Sequence, residues 1–191
     1  MKNPILRGTV TLLCITLIAG MALSFVYELT KAPIAEAEAA ARAEAYKNVY
    51  PSAADFEGID GEADRLTAAM AQFEAQGYAR VTVENALAAV DGNGNVIGYV
   101  LSSTSPNGYG GDVKIAIGIS TEGAICGFEP LAHEETVGYG ANCEDPDYRA
   151  SFVGKTDAAD IDQISGATYT TEAIREAVGA ALYTVMHHLK G

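Results

Sequence analysis

The stretch NALAAVDGNGNVIGYVLSS, residues 85–103, decides the fold. Two apolar runs, 85–90 and 96–103, flank Asp91-Gly92-Asn93-Gly94-Asn95, whose residues tolerate the left-handed backbone that a tight hairpin needs. They predict a pair of antiparallel strands. Downstream, Val113 to Ile119 alternates in part, turns at Ser120 to Gly123 and returns as Ala124 to Phe128. Three or four antiparallel strands with helices before and after them make an α+β domain. No stretch of 20–50 residues repeats.

Ahead of the strands, Ala63 to Gln76 places Leu66, Met70 and Phe73 on one helical face, with Gly77 as its stop. Pro51 to Gly61 is acidic, with Gly and Asp interspersed, and reads as a loop. Ile34 to Val49 is rich in Ala and Glu and predicts a helix that continues from the apolar run before it and ends near Pro51, with Pro33 suiting a first turn. After the strands, Ile174, Ala177, Val178, Ala181, Leu182, Val185 and Leu189 recur at three- and four-residue spacing, the apolar face of a last helix. Thr170 or Thr171 is the expected cap, with Glu172 inside the first turn.

Thr9 to Tyr27 holds nineteen residues without a charge, close to the roughly 20 that span a bilayer. Lys2 and Arg7 precede it, and the first acid is Glu28, which predicts a cytoplasmic N-terminus and an exported remainder. A cleaved signal peptide is the rival, with Ala22-Leu23-Ser24 as its small-residue site. The apolar run continues through Phe25 and Val26, which favours a retained anchor. The expected division is a cytoplasmic segment over 1–8, a membrane helix over 9–29, a juxtamembrane helix and linker over 30–62, and a domain over 63–191.

The formal charge is −13; residues 1–31 carry +2, so the remainder carries −15. Such a surface repels phosphate backbones, which excludes nucleic acid as a partner. Cys126 and Cys143 are widely spaced and are expected as free thiols.

Three segments carry chemistry. In 162–171, Asp162-Gln163-Ile164-Ser165-Gly166-Ala167-Thr168-Tyr169-Thr170-Thr171, small residues and hydroxyls lead into the last helix. Unpaired N–H groups at a helix start attract an anion, phosphate above all, and Ser165-Gly166-Ala167 lets it approach the backbone. An ordinary capped turn has the same composition. In Pro106-Asn107-Gly108-Tyr109-Gly110-Gly111, the ring of Tyr109 could cover a flat ligand. In His133-Glu134-Glu135-Thr136-Val137-Gly138-Tyr139-Gly140-Ala141, the spacing is not that of a helical zinc motif and no second histidine is near, so no metal is expected.

The pattern Asp162-x-x-Ser165-Gly166-Ala167-Thr168 resembles the recognition sequence for covalent flavinylation. With the apolar N-terminal run, the Tyr-Gly-Gly loop, the His-Glu-Glu-Thr loop and Phe152-Val153-Gly154-Lys155, nearly the whole chain resembles the G subunit of the Rnf electron-transport complex. It resembles more distantly the C subunit of the sodium-pumping NADH:quinone reductase. The family's middle loop usually reads His-x-Glu-Thr-Pro-Gly-Leu-Gly; Val137 and Tyr139 stand here at the proline and leucine places.

This resemblance implies FMN joined through its phosphate to Thr168 by a flavin transferase that recognises Asp162. It implies further cofactor contacts from Ser165, Gly166, Ala167, Thr170, Thr171, Glu135, Thr136, Gly138, Tyr139, Gly140, Lys155 and Tyr109. Lys155 or the helix start would neutralise the phosphate. The implied role is an electron-carrying flavoprotein subunit, single-pass in the cytoplasmic membrane, within a complex that couples ferredoxin:NAD+ electron transfer to Na+ or H+ translocation. The other subunits are its implied partners. A non-covalent FMN-binding subunit and a purely structural assembly subunit are the alternatives.

Overall fold

The computed structural model describes residues 4–190, in two compact units that meet between Ala41 and Arg42. The first unit is the larger part of one helix, α1 (Pro4–Val49). The helix expected to continue from the apolar run is one unbroken α1, and Pro33, expected in a first turn, lies inside it. Helix formers on both sides of it (Ala32, Ile34, Ala35 and Glu36) offset the one hydrogen bond a proline removes. Among the described residues α1 is the one helix long and apolar enough to cross a membrane. Leu12, Leu13, Leu17, Met21, Leu23 and Phe25 are all exposed on it.

The second unit begins at Arg42 and contains a five-stranded antiparallel sheet in the order β1-β2-β3-β4-β5. The strands are β1 (Asp55–Gly58), β2 (Thr82–Val90), β3 (Val96–Ser105), β4 (Val113–Ser120) and β5 (Ile125–Ala132). β1 corrects the acidic loop expected over 51–61. Its backbone pairs with β2, Phe56 opposite Ala89, and Ala54 N–H donates to Val90 O at 2.8 Å. The charged residues of β1 lie on a sheet edge, where solvent tolerates them. The last turns of α1 and β1, within the juxtamembrane helix and linker expected over 30–62, lie in the second compact unit.

The 91–95 turn forms as its sequence predicts. Asp91 Oδ1 accepts the N–H groups of Asn93 (2.8 Å) and Asn95 (2.9 Å), and Gly94 takes a φ of 81°. These bonds hold the Asp91 carboxyl below its usual range.

Each face of the sheet meets different helices. Leu101, Ile115, Ile117 and Ile119 point to the side covered by α2 (Glu62–Phe73) and α4 (Thr168–Thr184), where Leu66, Phe73, Ile174 and Val178 meet them. Fully burying such a side chain contributes about 1.5–3 kcal/mol, so this layer is the main source of stability. The other face presents Gly98, Val100, Ala116, Gly118 and Gly127, and the end of α1 lies on it through Ala45, Tyr46, Val49 and Tyr50. The Val49 carbonyl rests against Gly118 and Gly127; a Cβ at Gly127 would stand 2.6 Å from that oxygen. Tyr50 Oη donates to Ile97 O at 2.7 Å, and Tyr46 Oη to Asn85 Oδ1 at 3.1 Å.

Between β5 and α4 runs a connection holding the short α3 (Pro146–Ala150), capped by Asp145 Oδ1 accepting Asp147 N–H at 2.8 Å. Phe152 follows it and stacks on Phe128 of β5 with ring centroids 4.0 Å apart. This stack fixes where the chain turns back toward the start of α4.

Candidate functional site

The loop over 161–167 is anchored by its own alternation. Ile161, Ile164 and Ala167 are buried at three-residue spacing, which leaves Asp162, Gln163, Ser165, Gly166 and Thr168 exposed. Two side chains of α4 lock the loop from below. Thr171 Oγ1 accepts the Ile164 N–H and donates to Ala167 O, both at 3.0 Å, and Arg175 Nε donates to Ile161 O at 3.2 Å. The expected caps are corrected here: α4 starts at Thr168, its N-cap is Ala167, and no side chain caps it. Thr170 and Thr171 are inside the first turn, buried, with Thr171 serving as a staple. Glu172 lies beyond that turn. The helix begins earlier because Gly166, at φ 75°, reverses the chain and lets Thr171 N–H reach Ala167 O at 3.0 Å.

Thr168 thus occupies the first helical position, where its hydroxyl and the free N–H groups face outward together. In this structure Thr168 Oγ1 accepts one bond, from Gln163 Nε2 at 3.0 Å. Beside it opens a cavity of about 410 Å³. Three loops build its wall: Gly166 to Thr170 from the start of α4, Glu135, Thr136, Tyr139 and Gly140 from the loop after β5, and Tyr109 from the β3–β4 connection. The volume falls among pockets that hold small molecules, about 300–1,000 Å³.

Glycines and aromatic rings shape the opening. The Tyr139 ring lies over Gly166, where a Cβ would come 3.2 Å from its Cδ1. Tyr109, Tyr139 and Tyr169 are 72, 57 and 65 % exposed, an unusual concentration of solvent-facing rings around one hollow. Gly110 stands so close to the Glu134 carbonyl that no other residue fits, which fixes the loop carrying Tyr109. That loop is also held at its other end: Glu176 Oε2 accepts from Ser105 Oγ and from Asn107 Nδ2, each at 2.7 Å.

Of the residues expected to contact the cofactor, Tyr109, Glu135, Thr136, Tyr139, Gly140, Gly166, Ala167, Thr168 and Thr170 come together on this wall. Ser165, Gly138 and Thr171 do not line it. Gly138 turns the middle loop at φ 82°. Lys155 does not line it either; its ammonium is 3.0 Å from Asp162 Oδ2. Asp162 is therefore paired with that ammonium rather than free. His133 pairs with Glu144 at 3.0 Å.

Tyr169 and Gln163 join the site without having been expected there, although a sequence signal for Tyr169 exists. It lies off the buried stripe that continues from Ile174 back to Thr170 and Thr171, and an aromatic residue on the solvent side of a helix start calls for a partner. Gln163 carries no such signal, because its contact with Thr168 depends on the loop's reversal at Gly166. Cys126 and Cys143 are free thiols, and burial, with the charges of Glu144 and Glu135 adding to it, pushes the Cys143 thiol up to about 12.

Residues 108–183 match the FMN-binding domain family, and residues 1–49 match the RnfG N-terminal region. The G subunit of an ion-translocating oxidoreductase complex from Methanosarcina acetivorans is 30 % identical over 190 residues, covering 95 % of this chain and 94 % of that one. Its counterpart from Shewanella piezotolerans is 30 % identical over 206 residues, covering 100 % and 92 %. The G subunit of the Na(+)-translocating ferredoxin:NAD(+) oxidoreductase complex from Acetobacterium woodii is 25 % identical over 186 residues, covering 90 % and 86 %. Among solved structures, Shewanella oneidensis NqrC aligns with a TM-score of 0.48 at 20 % identity, over 55 % of this chain and 60 % of that one. With its apolar N-terminal helix, its antiparallel sheet and its FMN-binding domain, the chain belongs to the G-subunit family of Rnf-type ion-translocating oxidoreductase complexes.

Proposed function

We propose that the chain carries electrons through an FMN esterified by its phosphate to Thr168 Oγ1, within a complex that couples ferredoxin:NAD+ electron transfer to Na+ or H+ translocation. The observation that carries this reading is the placement of Thr168. Its hydroxyl opens at the first position of α4, on the wall of a cavity ringed by Tyr109, Tyr139 and Tyr169. The residues fit the group. Free N–H groups at the helix start suit a phosphate, Gly166 and Ala167 leave room beside it, and the tyrosines suit a flat ring. When bound, FMN supplies one- and two-electron chemistry.

The chain's own residues do the rest. Thr171 and Arg175 hold the loop so that Thr168 faces outward. Gln163 orients the hydroxyl that a flavin transferase would modify, and the Lys155–Asp162 pair gives that transferase a fixed exposed carboxylate to recognise. Tyr139 covers Gly166. Residues 9–29 would span the cytoplasmic membrane with the N-terminus inside, and the domain would stand outside it with the other subunits of the complex. A covalent link has a physical reason there, since a dissociable flavin outside the cytoplasm would be lost by dilution.

Thr168→Ala, made in the full-length chain in its own host, should leave the fold intact and abolish flavin fluorescence at the protein's band on a denaturing gel. Fluorescence persisting at that band would refute the attachment. Flavin released by acid precipitation of the unaltered chain would point instead to non-covalent binding.

A further inference from the structure

Glu135 is the charged side chain in the cavity wall; no Lys, Arg or His lines that wall among the described residues. It is 7 % exposed, and both of its oxygens are engaged. Oε1 accepts the Gly110 N–H at 3.1 Å, and Oε2 accepts the Thr170 hydroxyl at 2.5 Å. Gly108 and Gly140 close around it, since a Cβ on either would come 2.5 Å from one of its oxygens. The three loops of the cavity therefore meet on this one carboxylate.

Its donors are neutral dipoles, not cations. Lys155 is paired with Asp162, and His133 turns Nε2 to Glu144 while its Nδ1 accepts the Glu135 N–H at 3.3 Å. The negative charge at the cavity wall is hydrogen-bonded but not cancelled. A charge this buried acts over several ångströms with less screening than an exposed one.

We infer that Glu135 is a positioning residue of the electron-carrying site, whose fixed negative charge holds the bound flavin's reduction potential low, with Thr170 setting how much of that charge the cavity feels. The inference rests on the flavin reading above. In each reduction step the donor loses one electron and the flavin gains it, while Glu135 makes and breaks no covalent bond. Electrons that are not matched by protons from water add negative charge to the cavity, and the carboxylate penalises that addition. Glutamine is isosteric with glutamate and keeps an acceptor for Gly110 N–H, so Glu135→Gln removes the charge while retaining the shape.

The test is a spectroelectrochemical titration of the full-length, flavin-loaded chain, with dithionite as reductant and loading confirmed by intact mass. Glu135→Gln should move the midpoint potential positive by at least a tenfold change in the one-electron equilibrium, about 59 mV. Glu135→Asp, which keeps the charge, should stay near the unaltered value. Thr170→Val removes a donor from the carboxylate and should move the potential the opposite way, to more negative values. A merely structural role would not give opposite signs for the two. Loaded Glu135→Gln with an unchanged potential would overturn the inference, as would Thr170→Val shifting in the same direction as Glu135→Gln. If Glu135→Gln does not retain flavin, Thr170→Val decides alone, and no negative shift there refutes the role. An unaltered chain whose mass lacks the flavin overturns the flavin reading itself, and this inference with it.

Discussion

Thr171 shows how one hydroxyl can fix a functional loop. It satisfies the buried Ile164 N–H on one side and the Ala167 carbonyl on the other, and no other side chain supplies these bonds among the described residues. Thr171→Val keeps the shape but leaves the Ile164 N–H without an acceptor, which costs about 1–3 kcal/mol. Urea unfolding of the full-length protein in detergent should show an unfolding free energy lower by that amount, read as a lower midpoint, and loading at Thr168 should slow because the loop loosens. An unchanged midpoint would mean that Thr171 does not hold the loop. At this scale the sequence was legible where chemistry is local. The order Ser165-Gly166-Ala167-Thr168 before a helix marks the loop proposed for attachment, and the structure places it beside the start of α4. The roles of Thr171 and Glu135 were not legible, because each depends on a partner brought close by the fold: Ile164 across a reversed turn, and Gly110 and Thr170 across two other loops.

Among the elements, the contact between the end of α1 and the sheet depends on missing side chains. Gly118 and Gly127 are directly paired on β4 and β5, and the Val49 carbonyl occupies the space their side chains would fill. Gly127→Ala should push α1 off this face and destabilise the body by about 1–3 kcal/mol, the usual cost of overpacking. Gly92→Ala, in the open turn between β2 and β3 with nothing within 4 Å of the added methyl, should stay within about 0.5 kcal/mol. Thermal melts of the two variants, followed by circular dichroism, compare them directly, and equal melting temperatures would contradict this packing. The hairpin over 85–103 was legible because its strands and turn are contiguous. β1 was not: its acidic, glycine-rich sequence reads as a loop, and only the exposed edge of β2 makes a strand of it.

At the scale of the whole molecule, the acidic surface and the buried weak acids act in the same direction at high pH. Burial pushes the Cys143 thiol from 9.0 to about 12 and the Tyr46 hydroxyl from 10.0 to about 12, and it raises Tyr50 and Tyr148 as well. Below pH 9 these groups keep their protons in the folded and unfolded chains alike, so their contribution to stability is fully present. Between pH 9 and 12 the unfolded chain releases protons that the folded chain still holds. The unfolded state then binds fewer protons, and stability falls as pH rises, by up to about 1.4 kcal/mol per pH unit for each such group. The formal charge of −13 at pH 7 becomes more negative over the same range, and self-repulsion adds to the loss. Urea midpoints measured from pH 7 to 12 should stay level to about pH 9 and then drop steeply. Cys143→Ala lowers the plateau by opening a cavity and removes one titrating group; Cys126, whose thiol burial also raises, keeps the onset near pH 9, so the decline should be shallower. A decline of the same slope in that variant would mean that Cys143 does not hold its proton in the folded protein. The core around α3 and Phe152 would then admit more water than its packing indicates.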